Sequence, residues 1–374
     1  MPRCAVLVLF VLPAAAIARP PEPPTFADQV KARFAAWDRD GNGTLTRAEI
    51  DAAVADPAVT GDEAAAVAAL RRAVRNTKAA TPPLTRDALL ALASGGKDAP
   101  DFPAMYKAAR ARIAAADRAL FAHGGPTLDG VSQGKLGNCF CLAPLGALVA
   151  RDPGAVAKMI APAPGGGFDV RFGPKVVHVP SPTDAELAVL AATGGDGIWV
   201  NVYEKAVGKL RADEATAANK AALPDLDLLT KGGSAGTMVG VVTGKKIERF
   251  SCTFARDEKL PAADKAARLA AMRDRLAAAF AAKKLVTCGT NGGVTVPGVH
   301  GNHAYAVLGY DRAADAIALW NPHGQDFTPK GAPGLTTGYP TKDGRFRMPL
   351  PEFAAVFAGL AFETDEDGVG ERRL

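Results

Sequence analysis

The chain has 374 residues, 48% of them hydrophobic and 22% charged, with a formal net charge of +5. That composition is ordinary for a globular protein, and the length allows two domains and at least one sizeable core. Charges of both signs are interspersed and no basic block or aromatic-basic stripe is present, which argues against nucleic-acid binding.

Residues 1–18 read as an export signal. Arg3 gives a positive start, Ala5–Leu12 is apolar, and Ala16-Ile17-Ala18 is a small-x-small cleavage pattern before Arg19. The apolar run is too short to span a bilayer comfortably, and no other stretch reads as transmembrane. The expected location is secreted or extracytoplasmic (periplasmic in a bacterium), with no membrane contact beyond the signal. Of the five cysteines, cleavage removes Cys4 and leaves Cys139, Cys141, Cys252 and Cys288. Four are too few for a disulfide scaffold. Cys252 and Cys288 lie in apolar contexts, either as buried free thiols or as a bridged pair.

Residues 19–26 form a proline-rich, extended spacer. A helix follows over Ala27–Trp37, with Val30, Phe34 and Trp37 on one face. The next twelve residues, Asp38 to Glu49, fit the EF-hand calcium loop at every ligand position. Calcium takes six to eight oxygens. Asp38, Asp40 and Asn42 offer side-chain oxygens, Thr44 its carbonyl, Thr46 a contact often made through water, and Glu49 a bidentate carboxylate. Gly43 supplies the sharp turn. Leu84-Thr85-Arg86 then repeats Leu45-Thr46-Arg47, but the ligand positions fall on Thr77, Ala79, Thr81, Pro82 and Ala88. Asp62–Ala93 therefore reads as a partner hand that keeps its helices and has lost its metal. One such loop outside the cell suggests weak calcium affinity, toward ~10⁻⁴–10⁻³ M.

A glycine-rich linker over 94–100 leads into a long helix over Phe102–Phe121. After the apolar run Leu142–Ala150, an antiparallel hairpin is expected over Phe168–Phe172 and Val176–Val179. A helical stretch over Val202–Leu210 and a long helix over Ala262–Lys284 follow. Strands are expected over Leu285–Cys288, Ala304–Tyr310, Ala316–Trp320 and Arg345–Leu350, then a short helix over Glu352–Phe357. The acidic tail from Asp365 is expected to fray.

The candidate chemistry starts at Gln133-Gly-Lys-Leu-Gly-Asn-Cys139. A cysteine at a helix start sees the positive end of the helix dipole, which favours thiolate. A glutamine amide nearby can donate to an oxyanion forming beside the sulfur. The nucleophile needs a base and a group that orients the base. Both appear later, as His303 in Gly301-Asn302-His303-Ala304-Tyr305 and Asn321 in Trp320-Asn321-Pro322-His323-Gly324.

From about Leu120 to Phe362 the chain resembles the protease core of calpain-type cysteine proteases, in the papain-like superfamily. The motifs occur in the family's order: the Gln133–Cys139 segment, Trp199…Glu204-Lys205-Ala206, Gly232-Gly233 with Val242-Thr243-Gly244, His303-Ala-Tyr-Ala-Val, Asn321-Pro322-x-Gly324 and Gly344-Arg-Phe-Arg-Met. The resemblance implies Cys139 as nucleophile, His303 as base and later acid, Asn321 as the group orienting the imidazole, and Gln133 with the Cys139 N–H as oxyanion donors. It implies an α+β fold: a papain-like two-lobed core, with a helical lobe carrying the cysteine and an antiparallel β lobe carrying histidine and asparagine. A small all-α EF-hand-like domain precedes it. The expected domains are 27–97 for the EF-hand, 98–125 for a linker helix, 126–364 for the catalytic unit and 365–374 for the tail. Whether residues 19–125 are removed or inhibitory stays open.

The chain departs from the family at three places. Asn138-Cys139-Phe140 stands where Asp-Cys-Trp is usual, and His323 replaces a tryptophan. Pro144 either bends the cysteine helix or sits in the first turn of a helix starting at Ala143. Cys141 reads as a small core residue, His123 and His178 as surface or edge residues. His300 and His303 lack an evident third metal ligand. The function expected is an exported, calcium-binding endopeptidase acting on polypeptides. Its alternatives are a catalytically inactive, calcium-responsive binding protein and a transglutaminase-like acyl transferase.

Overall fold

The computed structural model describes residues 22–74, 84–93, 100–134, 136–215 and 225–368. The expected export signal, Thr77, Ala79, Thr81 and Pro82 of the expected second hand, residues 94–99 of the expected linker and the end of the tail lie outside the described residues.

Helix α1 (Phe26–Trp37) begins on a reciprocal cap between Thr25 and Asp28 and buries Phe26, Val30, Phe34 and Trp37. After the loop 38–49, α2 (Arg47–Ala55) begins on the same device, with Thr46 and Glu49 as partners. Helices α3 (Gly61–Ala73), α4 (Arg86–Leu92) and α5 (Phe102–Ala115) complete this part. Two short strands, β1 (Thr44–Leu45) and β2 (Leu84–Thr85), pair antiparallel, Thr44 opposite Thr85 and Leu45 opposite Leu84. The two copies of the Leu-Thr repeat thus lie side by side. Helix α5 stops six residues short of the expected end. Ala116 turns to an extended conformation, and the Asp117 carboxylate accepts the Ala119 N–H, a local turn that competes with the helix.

The next unit holds β3 (Val131–Ser132), α6 (Cys139–Arg151) and α7 (Pro153–Met159). A three-stranded sheet follows, with β4 (Ile160–Pro162), β5 (Phe168–Phe172) and β6 (Lys175–Val179). Then come α8 (Asp184–Val189), β7 (Ala192–Thr193), α9 (Trp199–Glu214), α10 (Asp225–Thr230) and α11 (Ala235–Thr243). The last unit is a six-stranded antiparallel sheet of β8 (Lys245–Ser251), β9 (Val286–Gly289), β10 (Ala304–Asp311), β11 (Ala316–Trp320), β12 (Arg345–Pro349) and β13 (Gly359–Asp367). Its order is β12-β11-β10-β9-β13-β8. Helices α12 (Ala262–Ala281) and α13 (Leu350–Val356) accompany it. The expected frayed tail is corrected here: β13 runs to Asp367, opposite Lys245. Lys245–Asp367 and Lys246–Glu366 ion pairs at 2.7 and 2.8 Å neutralise its acidic end.

Two apolar cores organise these units. One runs without a break from Phe26 and Val30 of α1 through α3 and α8 to Leu142 and Leu145 of α6 and Trp199 of α9. The other lies in the last unit, around Met272, Leu276, Tyr305, Phe353 and Phe357. The seam between them is tight. Trp320 at the end of β11 belongs to the first core, and a Cβ on Gly146 of α6 would come within 2.4 Å of its ring. Only a glycine lets the helix approach that closely.

Candidate active site

Cys139 opens α6, with Asn138 as N-cap. Pro144 lies inside the helix, so α6 does not wait for Ala143 to begin; the Phe140 carbonyl simply lacks its usual donor. The Asn138 side chain makes no cap bond. It is fully buried and donates from Nδ2 to Glu204 Oε1 at 2.5 Å, while Glu204 Oε2 accepts the Ala191 N–H at 2.8 Å. Burial pushes the Glu204 carboxyl up to about 7, against the opposing effect of these two donors and Arg112. Cys141 is buried and free, its thiol donating to the Asn138 carbonyl at 3.1 Å. Cys252 and Cys288 are likewise buried free thiols.

His303 immediately precedes β10 and Asn321 immediately follows β11. Those strands pair with Ala306 opposite Trp320, which brings the two side chains together at one end of the ladder. His303 Nε2 and Asn321 Oδ1 are 2.8 Å apart, both residues buried. The same Oδ1 accepts the His323 backbone N–H at 3.0 Å. An atom accepting a backbone N–H is the amide oxygen, so Nε2 carries the proton in neutral His303 and Nδ1 keeps its lone pair.

Cys139 and His303 line two cavities that meet between the units, one of about 430 Å³ and one of about 1220 Å³. Burial pushes the Cys139 thiol up, while the N–H groups of Ala304, Phe140 and Cys139 itself pull it down by less. Burial, then the neighbouring His323, holds His303 down at about 3 against the Asn321 hydrogen bond; His300 adds to the depression. In this state the pair is thiol and neutral imidazole. His323 packs its ring 4.4 Å from that of His303 and stacks at 4.7 Å on His300, so three imidazoles crowd together at this end of the cleft.

Gln133 also lines the larger cavity. Its Nε2 donates to the Leu136 carbonyl at 2.6 Å, leaving a second N–H on that nitrogen. Its backbone N–H donates to the Pro322 carbonyl at 2.7 Å, tying the segment before the cysteine to the turn after Asn321. His123 and His178 lie away from this site, each near one aspartate and exposed.

In the N-terminal loop, one carboxylate oxygen from each of Asp38, Asp40 and Glu49 falls within 4.8 Å of the others. The loop's own N–H groups point inward: Asn42 and Gly43 donate to Asp38 at 3.1 and 2.8 Å, and Arg39 donates to Glu49 at 2.8 Å. Asn42 Oδ1 accepts from the Thr44 N–H, and the Thr46 hydroxyl donates to Glu49 at 2.8 Å while capping α2. The Thr46 backbone N–H leads in lowering the Glu49 carboxyl, which favours its anionic form.

Two interactions had no counterpart in the motif reading. Glu204 was one letter of a motif, and only folding puts it under Asn138. Arg249 of β8 enters the smaller cavity, a placement set by packing against α11.

A cysteine, an imidazole and a carboxamide on two sides of a cleft are the parts of a cysteine peptidase. The calpain family cysteine protease model matches residues 96–332, so the chain belongs to that family. No curated protein matches the chain.

Proposed function

We propose that the chain is an exported cysteine endopeptidase whose site is Cys139, His303, Asn321 and Gln133, with a calcium loop at Asp38–Glu49. The observation that carries this reading is the 2.8 Å His303–Asn321 bond beside a cavity shared with Cys139. With Nε2–H held by Asn321, Nδ1 takes the thiol proton as the sulfur attacks the substrate carbonyl carbon. The oxygen of the tetrahedral intermediate then draws on the Cys139 N–H and the second N–H of Gln133, each such donor worth about 10²–10³ in rate. Collapse breaks the C–N bond as the imidazolium protonates the departing amine. Water, deprotonated by His303, then hydrolyses the thioester and frees the thiol.

The clustered carboxylates of Asp38, Asp40 and Glu49 fit a hard divalent cation, whose charge would offset their mutual repulsion. Calcium would be held by those three with Asn42 and the Thr44 carbonyl. Thr46, engaged as a helix cap, would reach it through water. Bound there, the ion would order the entry to α2.

Turnover of an unfolded protein by the reduced, calcium-loaded chain tests the reading. Activity is expected to vanish in Cys139→Ala and His303→Ala, and wild-type turnover in Cys139→Ala would refute the mechanism. A second reading, an inactive calcium-responsive binding protein, is favoured by the neutral thiol and imidazole. It would prevail if Cys139 never reacted with a thiol-directed peptide electrophile.

A further inference from the structure

The smaller cavity beside Cys139 has an uneven charge. Of the residues lining it, Arg249 alone carries a formal charge, His303 being held neutral by its surroundings; no Asp or Glu contributes. The remaining lining is uncharged: glycines and alanines, Phe250, the hydroxyls of Ser234, Ser251 and Thr290, and the carboxamides of Asn291 and Asn302 among them.

The guanidinium is held in place without being neutralised. Arg249 Nη2 donates to Ser234 Oγ at 3.0 Å and to Thr237 Oγ1 at 3.3 Å, one hydroxyl at the N-cap of α11 and one in its first turn. Among the described residues no carboxylate pairs with it. Glu248, the preceding residue on β8, points to the other face of the strand, where it engages Arg275. Gly236 makes the arrangement possible: a Cβ there would come within 2.7 Å of Ala361 Cβ and 2.9 Å of Arg249 Nη1. The helix therefore passes close to the sheet, and the arginine reaches the cavity through the gap.

A planar cation fixed by two neutral hydroxyls, with its other N–H groups left over, suits a carboxylate. An extended substrate advances about 3.3–3.6 Å per residue, so a cavity of this size beside the sulfur takes roughly two or three residues of it. We propose that Arg249 selects an Asp or Glu side chain of the substrate polypeptide, within about three residues of the bond that is cut. This rests on the peptidase reading above, with the cleft as the polypeptide-binding groove.

The test pairs peptides that differ only in Glu against Gln, or Asp against Asn, at each position around a cleavage site, with products read by mass spectrometry. The full-length wild type is expected to favour the acidic member by about tenfold in kcat/KM at one position, less at high salt. Arg249→Glu should invert that preference toward a Lys at the same position, with its thermal midpoint recorded to verify folding. Equal cleavage of Glu and Gln peptides at every position would overturn the proposal while leaving the peptidase reading intact. If the wild type cut nothing, that reading would fail and the proposal with it; for a wild type that cuts, binding to Cys139→Ala is the second measurement. Tighter binding of the Glu peptide, by about tenfold, supports it; equal affinity for both peptides ends it.

Discussion

The two sides of the cleft are built differently. The side that carries Cys139 shares one unbroken apolar core with the N-terminal helices, from Phe26 to Trp199. The side that carries His303 and Asn321 is a sheet with its own core, around Tyr305 and Phe353. The nucleophile is therefore placed by helix packing, through Asn138 and Glu204. The base and its orienting amide are placed by strand register, through the β10–β11 ladder. The site's geometry depends on how firmly the two supports meet at α6 and Trp320.

Wedging that seam should have the largest effect. In Gly146→Val the added carbons would collide with the Trp320 ring, and overpacking of this kind costs about 3 kcal/mol or more when neither side can yield. The expected result is a much lower denaturation midpoint and lost peptidase activity. A wild-type urea midpoint would mean that the two supports are loosely joined.

The support under the nucleophile should be sensitive to pH. Glu204 titrates near 7 when folded, against an ordinary value of 4.5. Between those values the folded chain holds a proton that the unfolded chain has released, so stability falls as pH rises through that window. The fall is on the order of 2–3 kcal/mol. Glu204→Gln removes the dependence. It is expected to be more stable than wild type at pH 8 and close to it at pH 4, as read by urea denaturation. Parallel curves for the two proteins would show that the carboxyl is ionised throughout.

A smaller effect is expected at the far end of the first core. Calcium at ten times its dissociation constant stabilises the folded state by about 1.4 kcal/mol. That should appear as a rise in thermal midpoint, lost in Asp38→Ala. An equal rise in both proteins would place the ion elsewhere. The least perturbing experiment is alkylation of Cys139 by iodoacetamide across pH. Because burial raises this thiol, its rate should climb through pH 8 and beyond 9, whereas a level rate from pH 4 to 8 would indicate a standing thiolate–imidazolium pair.

Much of this was legible in the residues, for local reasons. Helix α1 announces itself by the apolar face of Val30, Phe34 and Trp37, and β5, β6, β10 and β11 by alternation bounded with turns, so their limits fall within about a residue of expectation. The cysteine, histidine and asparagine were each marked by a short motif, and two of the three now share a hydrogen bond. Strand β8 escaped notice because Lys245-Lys246-Ile247-Glu248-Arg249 has the charge of an edge strand and little apolar alternation. The acidic end of β13 looked like a fraying tail because its lysine partners lie on that same strand, more than a hundred residues earlier. Arg249 and Glu204 acquire meaning only through neighbours distant in sequence, and no periodicity encodes that.

The continuity of the first core bears on maturation. Thr183 hydroxyl donates to the Val54 carbonyl at 2.6 Å, and Arg118 pairs with Asp184 at 2.7 Å, beside buried apolar residues of α3, α5 and α8 that belong to one core. A leader peptide that is meant to be shed ordinarily rests on a finished surface. Here, excision of the N-terminal helices would open the hydrophobic interior of the cysteine side to solvent, inviting aggregation rather than activation. Helices α1 to α5 thus serve the cysteine side as part of its folded interior.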